Sequence, residues 1–120
     1  MKKLEEWIDI VLERTLPVEV VAIAFNLYED GDNQWSIEMV GTNRFDPEDS
    51  DWACDEVFDT RDNPQSWIQI ASWKEILQEV TDSIKKYIET GKYSEKLKSY
   101  KGIGVGFVDG DITIVYQNQH

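Results

Sequence analysis

The spacing of apolar residues along the chain predicts two amphipathic helices. Near the beginning of the chain, apolar residues recur three and four positions apart, which places them on one face of a helix that ends before Pro17. A second series keeps this spacing for four turns after Ser72, and Ser72 and Glu75 match a capping box. Gly91 is expected to end this second helix. The two apolar stripes consist of Leu4, Trp7, Ile8, Val11 and Leu12, and of Trp73, Ile76, Leu77, Val80, Ile84, Tyr87 and Ile88.

Two apolar runs between these helices predict an antiparallel hairpin. Residues 18–28 are apolar on both faces of an extended chain, which is typical of a central strand that is covered on both sides. Residues 34–41 alternate between apolar and polar, with Trp35, Ile37 and Met39 pointing toward the core and Ser36 and Glu38 pointing away from it. Residues 29–33 are rich in Asp, Asn and Gly, so we expect them to form the turn between the two strands.

The segments on either side of the second helix predict smaller elements. Residues 53–59 and 66–71 are expected to be two short strands, separated by a break at the Asp-Asn-Pro sequence of residues 62–64. After the helix, residues 93–101 continue the helical spacing and contain three lysines. This pattern predicts a short basic helical turn.

The end of the chain predicts a second hairpin. Its strands are residues 103–108 and 111–116, and the Asp109-Gly110 dipeptide between them indicates a two-residue turn in which both residues have positive φ. Three glycines share one face of the first strand: Gly102, Gly104 and Gly106. Because glycines leave space above a strand, we expect a helix to pack closely on this face.

Together these elements predict one α+β domain that spans residues 1–120. Its expected fold is a mainly antiparallel sheet of about four to six strands, with an N-terminal helix and a longer central helix packed on it. A length of 120 residues with 41% hydrophobic residues is sufficient for one core. No apolar run is long enough to cross a bilayer, and the acids near Trp7 do not fit a secretory leader. We therefore expect a cytoplasmic protein.

The chain has a formal net charge of −12, and most of this charge lies in one region. Residues 29–62 hold twelve acids and two bases, a net charge of −10, whereas residues 1–28 carry −2 and residues 63–120 are neutral. Such a concentrated negative field repels nucleic acid and anionic membranes and accelerates encounter with a basic protein. A role in solubility explains the acidity as well, so both interpretations stay open.

We call residues 45–62 the acidic segment. Aromatic and apolar side chains alternate there with carboxylates, whereas a disordered acidic tail would lack them, and Arg61 is its only base. We therefore expect a folded, anionic surface that binds a partner. Trp52 would anchor the segment on the sheet if buried, which we favour, or would be an interface hot spot if exposed. The candidate partner-binding residues are Asp46, Glu48, Asp49, Asp51, Trp52, Asp55, Glu56 and Asp59.

The residues of common catalytic sites are missing from this sequence. The only histidine is His120, the last residue, so no Ser-His or Cys-His pair is expected in the fold. The only cysteine, Cys54, allows neither an internal disulfide nor a zinc cluster, and we expect it to be a small buried residue. We predict no catalytic residues, no metal site and no cofactor. An irregular calcium site and hydrolysis by a carboxylate pair are the alternatives that the acids leave open.

Three stretches resemble a group of small, acidic, uncharacterised bacterial proteins: Trp-Ser-Ile-Glu-Met-Val-Gly at 35–41, Arg-Phe-Asp at 44–46 and Asp-Trp-Ala-Cys-Asp-Glu-Val-Phe at 51–58. Some similar α+β proteins are immunity proteins, encoded beside toxins of polymorphic or contact-dependent inhibition systems. The resemblance implies a non-catalytic protein that binds and neutralises a toxin, and it carries over no functional residue. The alternative is a general interaction or regulatory domain, including a homodimer, whose acidity serves solubility.

Overall fold

A computed structural model describes residues 1–118 of the chain, and His120 lies outside them. The described residues contain three α-helices, six strands and one 3-10 helix. The helices are α1 (Lys2–Leu12), α2 (Trp73–Thr90) and α3 (Ser94–Lys98), and the 3-10 helix is Ser50–Cys54. The strands are β1 (Ala22–Gly31), β2 (Gln34–Thr42), β3 (Glu56–Asp59), β4 (Gln65–Ile68), β5 (Gly102–Phe107) and β6 (Thr113–Gln117).

The strands form one mixed sheet with β1 at its centre. Its order is β3-β2-β1-β5-β6, and β4 pairs with β2 on the same edge as β3. β1 and β5 are parallel because the chain crosses the sheet through α2 between them, and the other pairs are antiparallel. The predicted α+β class, with a mainly antiparallel sheet and a longer central helix, is confirmed.

The two long helices cover one face of the sheet with the apolar stripes that their spacing predicts. All five residues of the α1 stripe are buried, as are five of the seven in the α2 stripe. Trp73 is the main exception, because half of its surface is exposed at the beginning of α2. From the sheet, Trp35, Ile37 and Met39 join the same core, which confirms their predicted inward direction.

Several strand limits differ from the predicted ones. β1 begins at Ala22, four residues later than predicted, because the amide of Val20 donates to the carbonyl of Pro17 and the chain turns there. The strand predicted at 53–59 is restricted to β3, since the 3-10 helix occupies the preceding residues. The strand predicted at 66–71 corresponds to β4, which ends three residues earlier.

The two hairpin turns differ in backbone conformation, because only the first one has residues with positive φ. Asp32 and Asn33 have φ values of 51° and 61°, so they form the tight left-handed turn of the first hairpin. The expectation of positive φ at Asp109 and Gly110 was wrong. β5 and β6 are instead joined by the loop 108–112, in which the amide of Gly110 bonds to a carbonyl three residues earlier, and such a turn needs no positive φ.

α2 begins and ends at the residues that the sequence predicts. The hydroxyl of Ser72 accepts a hydrogen bond from the amide of Glu75 at 3.2 Å, which confirms the predicted cap. Gly91 ends the helix as predicted, but its φ of −68° is not left-handed. A Cβ at Gly91 would lie 2.5 Å from the Tyr87 ring, so glycine is needed there for space rather than for conformation.

We expect Tyr87→Phe to lower the free energy of unfolding by about 1–2 kcal/mol, because the hydroxyl connects three elements. It donates to Asp9 of α1 at 2.5 Å and accepts from the amide of Tyr93 at 3.2 Å. Burial and the Asp9 hydrogen bond raise the pKa of Tyr87. The unfolded chain loses this proton near a pH of about 10 while the folded chain retains it, so this stabilisation is lost as pH rises further.

Urea denaturation at pH 8 and pH 11 would test this expectation. The stability gap between the native protein and Tyr87→Phe should be larger at pH 8 than at pH 11. Tyr93→Phe is the matched control, because that hydroxyl makes only an exposed 3.4 Å hydrogen bond to Glu13. A gap that stays constant with pH would contradict the assigned role of the Tyr87 hydroxyl.

Candidate partner-binding surface

Two aromatic side chains fix the acidic segment on the second face of the sheet. The Trp52 side chain is fully buried and packs edge-to-face on Phe45, with ring centroids 4.9 Å apart. Beneath the rings lie the small and apolar residues of β1 and β2: Ala22, Ala24 and Val40. β1 is therefore covered on both faces, which confirms the prediction for the central strand.

The glycines of β5 make room for these aromatic rings. A Cβ at Gly102 would overlap the Phe45 ring, and a Cβ at Gly104 would lie 2.6 Å from Ile112 and 3.1 Å from Trp52. The expectation that a helix packs on this glycine face is thus corrected: side chains of the acidic segment and of the loop 108–112 occupy the space instead. The segment and the glycines form one packing unit although they are far apart in sequence.

Several carboxylates of the segment shape its own backbone. The side chain of Asp46 accepts from the amide of Glu48 at 2.9 Å, and Asp49 accepts from the amide of Asp51 at 3.0 Å. The second bond caps the 3-10 helix, whose last turn is closed by the amide of Asp55. Part of the acidity therefore has a local structural role.

Arg44, which lies just outside the acidic segment, neutralises two of its carboxylates. Its guanidinium is 2.6 Å from Asp55 and 3.2 Å from Asp49. The backbone amide of Asp51 and the Arg44 guanidinium hold the pKa of Asp49 below its ordinary value. The sequence singled out Arg61 as the only base within the segment and missed Arg44, although its position directly before Phe45 was a visible signal.

Arg61 forms a second cluster on the open part of this face. Its guanidinium is 2.8 Å from Glu56, 3.2 Å from Asp59 and 3.2 Å from Glu38. Glu38 points away from the helices as predicted, but it is 1% exposed rather than solvated. One carboxylate oxygen of Glu38 is close enough to Arg61 for an ion pair but is not in hydrogen-bond geometry with it. The other carboxylate oxygen accepts a hydrogen bond from the Tyr28 hydroxyl. Burial and this bond raise the pKa of Tyr28.

The exposed, unpaired carboxylates of the segment are therefore fewer than the sequence suggests. Within residues 1–118, Asp46, Glu48 and Asp51 make no ion pair, and the last two are exposed. Trp52 is buried, so it anchors the segment and offers no surface to a partner, which corrects its place among the binding residues. Cys54 is exposed, so the expectation that it is buried was wrong.

The rest of the described chain adds no metal-binding cluster, and comparisons with known proteins add no relative. Among residues 1–118, no three His, Cys, Asp or Glu side chains converge as metal ligands would. No helix in this range combines the length and apolarity required to span a bilayer. The chain matches no protein-family model, no curated protein and no solved structure.

Proposed function

We propose that the protein is a non-catalytic inhibitor of the immunity-protein type, which binds and neutralises a basic toxin through its acidic segment. The observation that carries this proposal is the exposed pair Glu48 and Asp51, held on a segment that the buried Trp52 attaches to the sheet. The backbone amides of both residues are hydrogen-bonded to carboxylates of the segment, so little backbone entropy would be lost on binding. Opposite charge makes encounter fast, and desolvated contacts between arginine and carboxylate slow dissociation.

A second candidate is a general interaction or regulatory domain whose acidity serves solubility. The observation in its favour is that Arg44 and Arg61 pair with four of the seven candidate carboxylates: Asp49, Asp55, Glu56 and Asp59. Internal neutralisation of this kind reduces the negative charge that the segment offers to a basic partner. Under either candidate the single cysteine fits a reducing, cytoplasmic compartment.

Affinity purification from the native organism at low and at high salt would separate the two candidates. Retention of one basic protein at low salt, followed by its loss at high salt, supports the inhibitor and identifies its target. Inhibition of that protein's toxic activity in a purified assay is the required second result. A stable dimer that retains no basic protein would favour the second candidate.

We expect the double replacement Glu48→Lys and Asp51→Lys to slow association with that target by about tenfold or more at low salt. Asp49 is left in place because it caps the 3-10 helix and pairs with Arg44. The matched control is Glu6→Lys with Glu89→Lys, which changes the net charge equally at exposed positions of α1 and α2. Stopped-flow kinetics that show equal slowing for both pairs would refute a role for the acidic segment.

A further inference from the structure

The opposite end of the sheet carries a group of exposed apolar side chains. Four large ones come from two stretches there: Ile68 (76% exposed), Ile70 (88%), Trp73 (50%) and Val108 (52%). We call this surface the hairpin end and define it as residues 29–33, 68–73 and 107–111. It includes the first hairpin turn, the linker before α2 and the chain directly after β5. Exposed apolar groups of this kind are typical of interaction sites.

A groove lies between two of these stretches. Trp73 and Val108 line it together with Phe107 and Leu27, and its volume is about 440 Å³. The Phe107 ring packs edge-to-face on Trp73 and on the buried Trp35, with ring centroids 6.1 Å apart in both pairs. The exposed Trp73 is therefore connected to the core by aromatic contacts rather than mobile on the surface.

The linker beside the groove is also held in place. The carbonyl of Gln69 accepts from the Trp35 indole at 2.9 Å, and its amide donates to the carbonyl of Asn33 at 2.8 Å. The Gln69 side chain bonds to both Trp67 and Glu79. Ile70 follows directly and is almost fully exposed on this ordered linker, so little conformational entropy would be lost if a partner covered it.

The carboxylates of this end are not neutralised internally. Five exposed acids lie at the end of β1 and on the adjacent loops, and within residues 1–118 none of them makes an ion pair: Glu29, Asp30, Asp32, Asp109 and Asp111. Two bases are nearby, since Lys74 lies 5.6 Å from the centroid of the Trp73 ring and Lys3 lines a pocket with Ile68. The acids of this end outnumber them, and Glu29 and Asp109 line the groove itself, so its border favours a cationic partner.

We propose that the hairpin end is a docking surface for a protein partner that inserts an apolar side chain, flanked by arginine or lysine, into the groove. The inference rests on the proposed function, because it takes the partner to be basic, but it places the tightest contact away from the acidic segment. An apolar centre surrounded by charge matches the usual anatomy of such interfaces. A second copy of the chain is the wrong occupant, because a two-fold contact would bring the five carboxylates of each copy together.

Peptide titration followed by nuclear magnetic resonance of the ¹⁵N-labelled protein would test this proposal. The probe is the blocked peptide Arg-Leu-Phe-Leu-Arg, and the control is Arg-Gly-Gly-Gly-Arg, which has the same charge. We expect the apolar peptide to shift the amides of residues 29–33, 68–73 and 107–111. It should bind at least about tenfold more tightly than the glycine peptide, because its apolar side chains leave water in the groove.

A pair of variants provides the matched control for position. Ile70→Lys places a cation at the hairpin end, whereas Val18→Lys places one at a site 94% exposed before the start of β1. Both change the charge equally at positions outside the helices and strands. We expect Ile70→Lys to weaken binding of the apolar peptide about fivefold or more and Val18→Lys to change it less than about twofold.

The other outcomes overturn the proposal in distinguishable ways. Amide shifts confined to the acidic segment, residues 45–62, would reject the hairpin end while leaving the proposed function intact. Equal affinity for both peptides would show that charge alone acts and that the groove takes no side chain. Dilution-dependent shifts at the hairpin end without peptide would identify a second copy as the occupant. No binding of either peptide would reject the basic-partner premise together with the surface.

Discussion

Replacing Trp52 by alanine is expected to lower the free energy of unfolding by about 3–5 kcal/mol, the usual cost of removing a fully buried tryptophan. The ring is 0% exposed and fills the space between Phe45 and the small residues Ala22 and Ala24. These residues cannot collapse onto one another, because β1 is hydrogen-bonded on both sides within the sheet. The loss should therefore include the full cost of a cavity.

Chemical denaturation of Trp52→Ala beside Trp73→Ala would measure this effect. Trp73 is half exposed, so its truncation should cost less than about 2 kcal/mol. Hydrogen exchange offers a second readout, since the amides of Trp52 and Asp55 bond within the segment and should lose protection in Trp52→Ala. Equal destabilisation by the two variants would contradict the view that Trp52 is the anchor of the acidic segment.

Gly106→Ala is expected to lower the free energy of unfolding by about 1–3 kcal/mol through overpacking. A Cβ at Gly106 would overlap the backbone carbonyl of Asp111 and lie 3.0 Å from the Cα of Ile112. Backbone atoms cannot rotate away as the end of a side chain can, so the loop 108–112 would have to move. Because this loop borders the groove at the hairpin end, peptide binding there should weaken as well.

Gly110→Ala is the matched control for Gly106→Ala. It makes the same change four residues later, in the loop 108–112, but a Cβ at Gly110 would have no neighbour closer than 3.7 Å. Its φ is not positive, so alanine fits there and is expected to be neutral or stabilising by up to about 1 kcal/mol. A thermal melt in which both variants behave alike would argue against the close approach of the loop to β5.

The elements with strong local signals could be predicted from the sequence. The stripes of α1 and α2, the cap at Ser72 and the apolar β1 all follow from patterns within a few residues, and the α+β class follows from their order. The hairpin turns show the limit of such signals. Asp-Gly at 109–110 and Asp-Asn at 32–33 are both plausible tight turns, but only Asp32 and Asn33 have positive φ, whereas the loop 108–112 lies close against Gly106 without it.

The sequence predicted which residues make up the candidate site but not how their side chains are arranged. The acidic segment and the burial of Trp52 followed from its sequence, whereas the pairing of its carboxylates with Arg44 and Arg61 did not. The burial of Glu38 was not predicted either, because its ion-pair partner Arg61 lies far away along the chain. The hairpin end has no contiguous motif at all, since its three parts are separated in sequence and meet only where β1, β4 and β5 end.

The sequence by itself determined the helices, the central strand, the fold class and the concentration of negative charge in residues 29–62. These properties depend on local periodicity and composition, which contacts at long range do not change. Only the tertiary structure decided which carboxylates are neutralised, that Trp73 of the α2 stripe stays half exposed, and what the glycines of β5 accommodate. These outcomes depend on which residues that are distant in sequence become neighbours when the sheet forms. The neighbouring charges and the packing around a side chain, rather than its residue type, decide whether it is available to a partner.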